Sequence, residues 1–150
     1  SIKGKRSVDS IHKELGHILW DLVGMARNKA GLEKALADIK ALRKEFETNL
    51  FIPGEAGKGM NVELDKAFRL KDFITMGELM AYDALNRNES CGGHFREEYQ
   101  TEEGEAMRDD AQYFYVSCWN YEGSDEKEPS LIKEPLEYEA IKVQTRNYKS

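Results

Sequence analysis

The sequence predicts a mainly α protein: an antiparallel, spectrin-repeat-like three-helix bundle followed by a small β-hairpin tail. Three observations carry that expectation. Two early segments repeat apolar residues at alternating steps of three and four. A third helical segment follows a glycine-rich loop, and an aromatic, β-branched run comes late in the chain. The expected division is a bundle over residues 1–98 and a loop-and-hairpin extension over 99–150, packed on the bundle or on another domain.

Helix one is expected from Val8 to Arg27. Val8, Ile11, Leu15, Ile18, Leu22 and Met25 lie on one stripe, with Ser7 as N-cap. Asn28 to Gly31 reads as a tight turn closed by glycine. Helix two is expected from Leu32 to Leu50, with Leu32, Ala35, Ile39, Leu42 and Phe46 repeating the spacing. Pro53-Gly54 stops it. Gly54-Glu55-Ala56-Gly57-Lys58 has a phosphate-loop flavour but lacks the full G-x-x-x-x-G-K-[ST] pattern and follows a helix, so it reads as a connector.

Helix three is expected from its N-cap Asn61 to Asn86. Ala67, Ile74, Ala81 and Leu85 share one side, and Phe68, Met76 and Leu79 lie roughly opposite. A helix apolar all round is covered on several sides. Trp20, nearly opposite Ile18 and Leu22, repeats that hint: it marks a docking surface or a site covered by the chain's own tail. His12 and His17 fall on a solvent-facing or docking side of helix one. Gln112 to Tyr121 reads as a strand, Gly123 to Pro129 as a polar turn, and Leu136 to Val143 as the antiparallel partner strand. A two-stranded ribbon is marginal alone and needs a surface to lie on.

Composition narrows the function. With 33% charged and 40% hydrophobic residues the chain has material for a core. The formal net charge of -6 argues against a nucleic-acid partner, which needs a basic face. No apolar run approaches the ~18 to 20 residues that span a bilayer. Cys91 and Cys118 form no C-x-x-C pair and read as reduced cytosolic thiols. The opening Ser1-Ile2-Lys3-Gly4 reads as a piece of a longer chain or a processed product.

The segment Glu89-Ser90-Cys91-Gly92-Gly93-His94-Phe95-Arg96-Glu97-Glu98-Tyr99 concentrates the chemistry. No G-x-S-x-G elbow surrounds Ser90, so a hydrolytic triad has no support. Cys91 with His94 has no protease pattern around it. Cys91, His94, Glu97 and Glu98 match no metal-ligand spacing. The structural reading is stronger. Gly92 and Gly93 permit a sharp bend. Glu89, Ser90, His94 and Arg96 are placed to tie that bend to helix ends and to a neighbouring domain, with Arg96 suited to a carboxylate.

This segment resembles the E-S-R-G-A-H-x-R-x-D-[YF] motif in the C-terminal domain of succinate dehydrogenase/fumarate reductase flavoproteins. The resemblance extends to Val23-Gly24-Met25-Ala26-Arg27, Asn61-Val62-Glu63-Leu64, Arg108-Asp109-Asp110 and Arg146-Asn147-Tyr148. There are departures: Cys91 stands at the family's Arg, Gly93 at its Ala, Glu98 at its Asp and Gln100 at its Pro, and the gap before Arg108 is lengthened. The resemblance implies an oxidoreductase that interconverts succinate and fumarate through FAD. It implies electron transfer to an iron–sulfur subunit and, through a membrane anchor, to quinone, at the cytoplasmic face of the inner membrane. In the family, FAD and the catalytic residues belong to preceding domains. No G-x-G-x-x-G follows a strand here, so no catalytic, cofactor-binding or metal residue is assigned to this chain. Trp20, Arg27, Glu89, Ser90, His94, Arg96, Arg146 and Tyr148 are assigned interface or structural roles, toward the flavin domain and the iron–sulfur subunit. The rival readings are an L-aspartate oxidase-like flavoprotein and a free-standing three-helix interaction module.

Overall fold

The computed structural model describes residues 3–54 and 59–144. The described residues are helix-rich, with a small antiparallel strand pair. It divides into two compact units, Ser1–Asn86 and Arg87–Ser150. The first unit carries β1 (Arg6–Ser7), α1 (Val8–Leu22), α2 (Lys29–Asn49), β2 (Leu50–Phe51) and α3 (Val62–Asn86). The second carries α4 (Asp110–Tyr113), β3 (Tyr115–Asn120) and β4 (Ser130–Pro135).

Helix α1 starts where expected, with the Ser7 hydroxyl accepting the Ser10 N–H at 3.2 Å. It stops at Leu22, short of Arg27. Gly24 follows, and glycine costs a helix about 1 kcal/mol relative to alanine. Arg27 Nε then donates to the carbonyls of Val23 (3.1 Å) and Gly24 (2.8 Å), which gives the freed backbone a partner. Met25 therefore falls off the helical stripe and is 90% exposed.

Helix α2 begins earlier than expected. Asn28 is its N-cap and accepts the Gly31 N–H at 2.8 Å, so Gly31 lies in the first turn instead of closing the preceding one. A Cβ at position 31 would sit 3.1 Å from that capping oxygen, so the glycine leaves room for the cap. Helix α3 is capped by Asn61 as expected, which accepts the Leu64 N–H at 3.1 Å. The same side chain donates to the Pro53 carbonyl, tying α3 to the loop before it.

The apolar stripes converge. Val8, Ile11 and Leu15 of α1, Ile39 and Leu42 of α2, Leu50 of β2, and Ala67, Leu70 and Ile74 of α3 form one buried cluster. Each large side chain so buried contributes roughly 1.5–3 kcal/mol before the entropy of ordering is subtracted. Gly77 lets α1 and α3 approach: a Cβ there would meet the Leu19 methyls at 3.1 and 3.2 Å. The double-sided character of helix three is real. Ala67, Ile74 and Ala81 are buried, while Phe68, Phe73, Met76 and Met80 are exposed; Leu85 and Leu79 are half-buried.

Two features of this unit were not expected. Arg43 of α2 and Glu78 of α3 form a buried ion pair, Nη2 to Oε2 at 2.6 Å, and Arg43 Nη1 also reaches Thr75 Oγ1 at 3.3 Å. The residues before α1 also lash to the end of α2. Arg6 and Ser7 pair parallel with Leu50 and Phe51. The Gly4 N–H donates to the Leu50 carbonyl at 2.7 Å, and a Cβ at Gly4 would lie 1.9 Å from the Asn49 oxygen.

In the second unit the first strand is Tyr115–Asn120, shorter than Gln112 to Tyr121. Asp109 caps a single helical turn at 110–113 by accepting the Gln112 N–H at 3.2 Å and side-chain amide at 2.8 Å. The expected partner strand, Leu136 to Val143, is wrong. The partner is Ser130–Pro135, in register from Tyr115↔Pro135 to Asn120↔Ser130. Pairing there closes the shorter loop and sets Leu131 across from Trp119 and Ile132 across from Cys118. Glu122 fastens the loop end, accepting from Asn120 Nδ2 at 3.0 Å and from the Ser130 hydroxyl.

Removing one partner of the buried pair should be costly. Glu78→Ala is expected to lower stability by about 3–5 kcal/mol in urea titration, whereas the double change Arg43→Met/Glu78→Leu should recover most of that loss. At the hairpin, hydrogen bonds from Ser130 and then Asn120 hold the Glu122 carboxyl below its ordinary value. Its folded-state affinity for protons is thus lower than in the unfolded chain. The contribution is present above the usual glutamate range and lost as pH falls through the folded value. Amide protection at the Asn120 end of the hairpin should fall in acid, and Glu122→Gln should remove that pH dependence.

Candidate functional site

The glycine–histidine segment forms a tight turn. The Cys91 N–H donates to the His94 carbonyl at 2.8 Å and the His94 N–H returns to the Cys91 carbonyl at 3.0 Å. Gly92 sits at φ 59°, a left-handed conformation that a residue with a side chain adopts at a cost. The turn is anchored on both sides by buried polar groups.

Ser90 is fully buried. Its N–H donates to the Met107 carbonyl at 2.8 Å. Its hydroxyl accepts the Arg96 N–H at 2.8 Å and donates to the Arg96 carbonyl at 3.1 Å. The oxygen is engaged on both sides by one residue's backbone, so it is not presented as a nucleophile. Glu89, also buried, accepts from Arg87 Nη1 at 3.2 Å and from the Asp109 N–H at 2.9 Å. It thereby joins the start of the unit to the turn that precedes α4.

Arg87 completes the joint. Its Nη2 donates to the carbonyls of Tyr113 (3.1 Å) and Tyr115 (2.9 Å). The guanidinium carbon lies 5.9 Å from the Tyr113 ring centroid and 5.1 Å from that of Tyr115, within cation–π range. His94 Nε2 lies 2.9 Å from the Arg87 carbonyl; because a carbonyl only accepts, that nitrogen carries the proton. Arg96 is 1% exposed, donates from Nε to Glu98 at 3.1 Å and covers the Tyr99 ring at 5.4 Å. Arg108 grips Asp110 through Nε (3.0 Å) and Nη2 (2.6 Å), which holds its proton more tightly than usual, and it donates from Nη1 to the Gln144 carbonyl at 3.3 Å.

Glu89, Ser90, His94 and Arg96 thus come together in the second unit, while Trp20 and Arg27 belong to the first. Arg27 is committed to the backbone after α1, and Trp20 is 83% exposed. Arg146 and Tyr148 lie outside the described residues. Arg87 is the organising residue that sequence reasoning passed over. The available signal was an arginine just past a helix end, two residues before a glutamate that is itself flanked by polar side chains. Among the described residues no three His, Cys, Asp or Glu side chains gather as a metal site.

The fold and this geometry define a class: a helix-rich unit followed in the chain by a turn-and-hairpin unit pinned by buried polar groups. Residues 12–148 match the family described as fumarate reductase flavoprotein C-term, and the chain belongs to that oxidoreductase flavoprotein family. It is 33% identical over 99 residues to an uncharacterized FAD-dependent oxidoreductase of Methanocaldococcus jannaschii, covering 66% of this chain and 17% of that protein. It is 33% identical over 98 residues to a chloroplastic L-aspartate oxidase of Nicotiana tabacum, covering 65% and 15%. A solved E. coli quinol fumarate reductase shares the fold with a TM-score of 0.75 at 19% identity, over 97% of this chain and 23% of that one. The chain therefore spans about a sixth of the length of these curated relatives.

The polar joint can be tested directly. Ser90→Ala leaves the Arg96 N–H buried without its acceptor and should cost about 1–3 kcal/mol. Arg87→Met removes charge-assisted bonds worth roughly 1.5–3 kcal/mol each. It should speed amide exchange in β3 and β4 while leaving exchange in α1, α2 and α3 unchanged. Equal losses in both regions would show that Arg87 does not act locally.

Proposed function

We propose that this chain is the C-terminal helical domain of the flavoprotein subunit of a succinate dehydrogenase/fumarate reductase. In this reading α1, α2 and α3 form the antiparallel three-helix bundle expected from the sequence, and the hairpin unit is its extension. The parent subunit interconverts succinate and fumarate with FAD, passes electrons to an iron–sulfur subunit and reaches quinone through a membrane anchor. It sits peripherally at the cytoplasmic face of the inner membrane. No helix among the described residues is long and apolar enough to cross a membrane. The family match over residues 12–148 is the observation that carries the reading.

The domain's own work is mechanical. The described residues do not fit a flavin. Dinucleotide phosphates seat on a strand–turn–helix of a parallel sheet. Here β1 and β2 are two residues each, and β3 pairs antiparallel with β4. FAD and the dicarboxylate belong to the rest of the parent subunit, and no chemical step is assigned here. The exposed Trp20, Phe73, Met76 and Met80 are side chains suited to desolvation against the flavin-binding domain or the iron–sulfur subunit. Glu89, Ser90, His94 and Arg96 hold the turn of the second unit in one shape, suited to contact with another part of the parent subunit. The tobacco relative supports a second reading, the equivalent domain of an L-aspartate oxidase-like flavoprotein. Assaying the full-length protein for L-aspartate oxidation and for fumarate reduction separates the two.

Purified alone, this chain is expected to carry no flavin and to reduce no fumarate. Stoichiometric yellow flavin absorbance would overturn the reading. Trp20→Ser should change the stability of the chain by no more than about 0.5 kcal/mol, as surface substitutions do. In the full subunit it should weaken assembly with the partner, read by co-purification. A large stability loss in the isolated chain would place Trp20 in its own core instead.

A further inference from the structure

We draw no further inference here: the strongest candidate, the surface patch of exposed apolar side chains Trp20 on α1 and Phe73, Met76 and Met80 on α3, serves the docking role already proposed, and nothing in the structure shows what else covers it.

Discussion

A charge or hydroxyl taken out of water must find partners, and the second unit of this chain is built around that requirement. Its interior is not an oily core. Tyr115 is buried there, but so are Glu89, Ser90 and Arg96. What holds the segments together is a set of charge-assisted contacts that begin at Arg87 and Glu89. The contacts to Tyr113, Tyr115 and Asp109 each join a side chain to distant backbone, so each of these closes a loop as well as satisfying a polar group. The first unit works the other way. Its stability rests on apolar stripes from three helices, with one buried ion pair between α2 and α3 set among them. A buried pair of this kind is weak as a source of stability and strong as a constraint, because each partner penalises any register that strands the other.

That contrast explains which parts were legible in the sequence. Apolar periodicity is a local signal, and it located α1, α2 and α3 with errors only at their ends. Those errors have specific causes. Capping by Asn28 outweighed the turn propensity of Gly31. The low helix propensity of Gly24, with Arg27 waiting to take the freed carbonyls, ended α1 before its apolar stripe ran out. Long-range pairing was less legible. The alternation in Leu136 to Val143 looks like a strand, yet the strand is Ser130–Pro135, because loop length and cross-strand partners decide between competing segments. Arg43 and Glu78 carried a readable warning, since each sits beside the buried stripe of its own helix; only the fold shows that they answer one another.

The glycine–histidine segment was legible as a compact joint but not in its wiring. Its residue types pointed to a bend held by side-chain hydrogen bonds. The partners turned out to be mostly backbone groups from residues 87, 96, 107 and 109, which no spacing rule reveals. Cys91 enters this arrangement through its backbone N–H and carbonyl.

The lashing of residues 3–7 to the end of α2 sets a practical limit on where the polypeptide can be cut. A shorter version opening at Val8 would discard the capping hydroxyl of Ser7, strip Leu50 of the amide that binds its carbonyl and leave β2 with no neighbour. Gly4 admits no side chain, since a Cβ there would be forced into the Asn49 backbone.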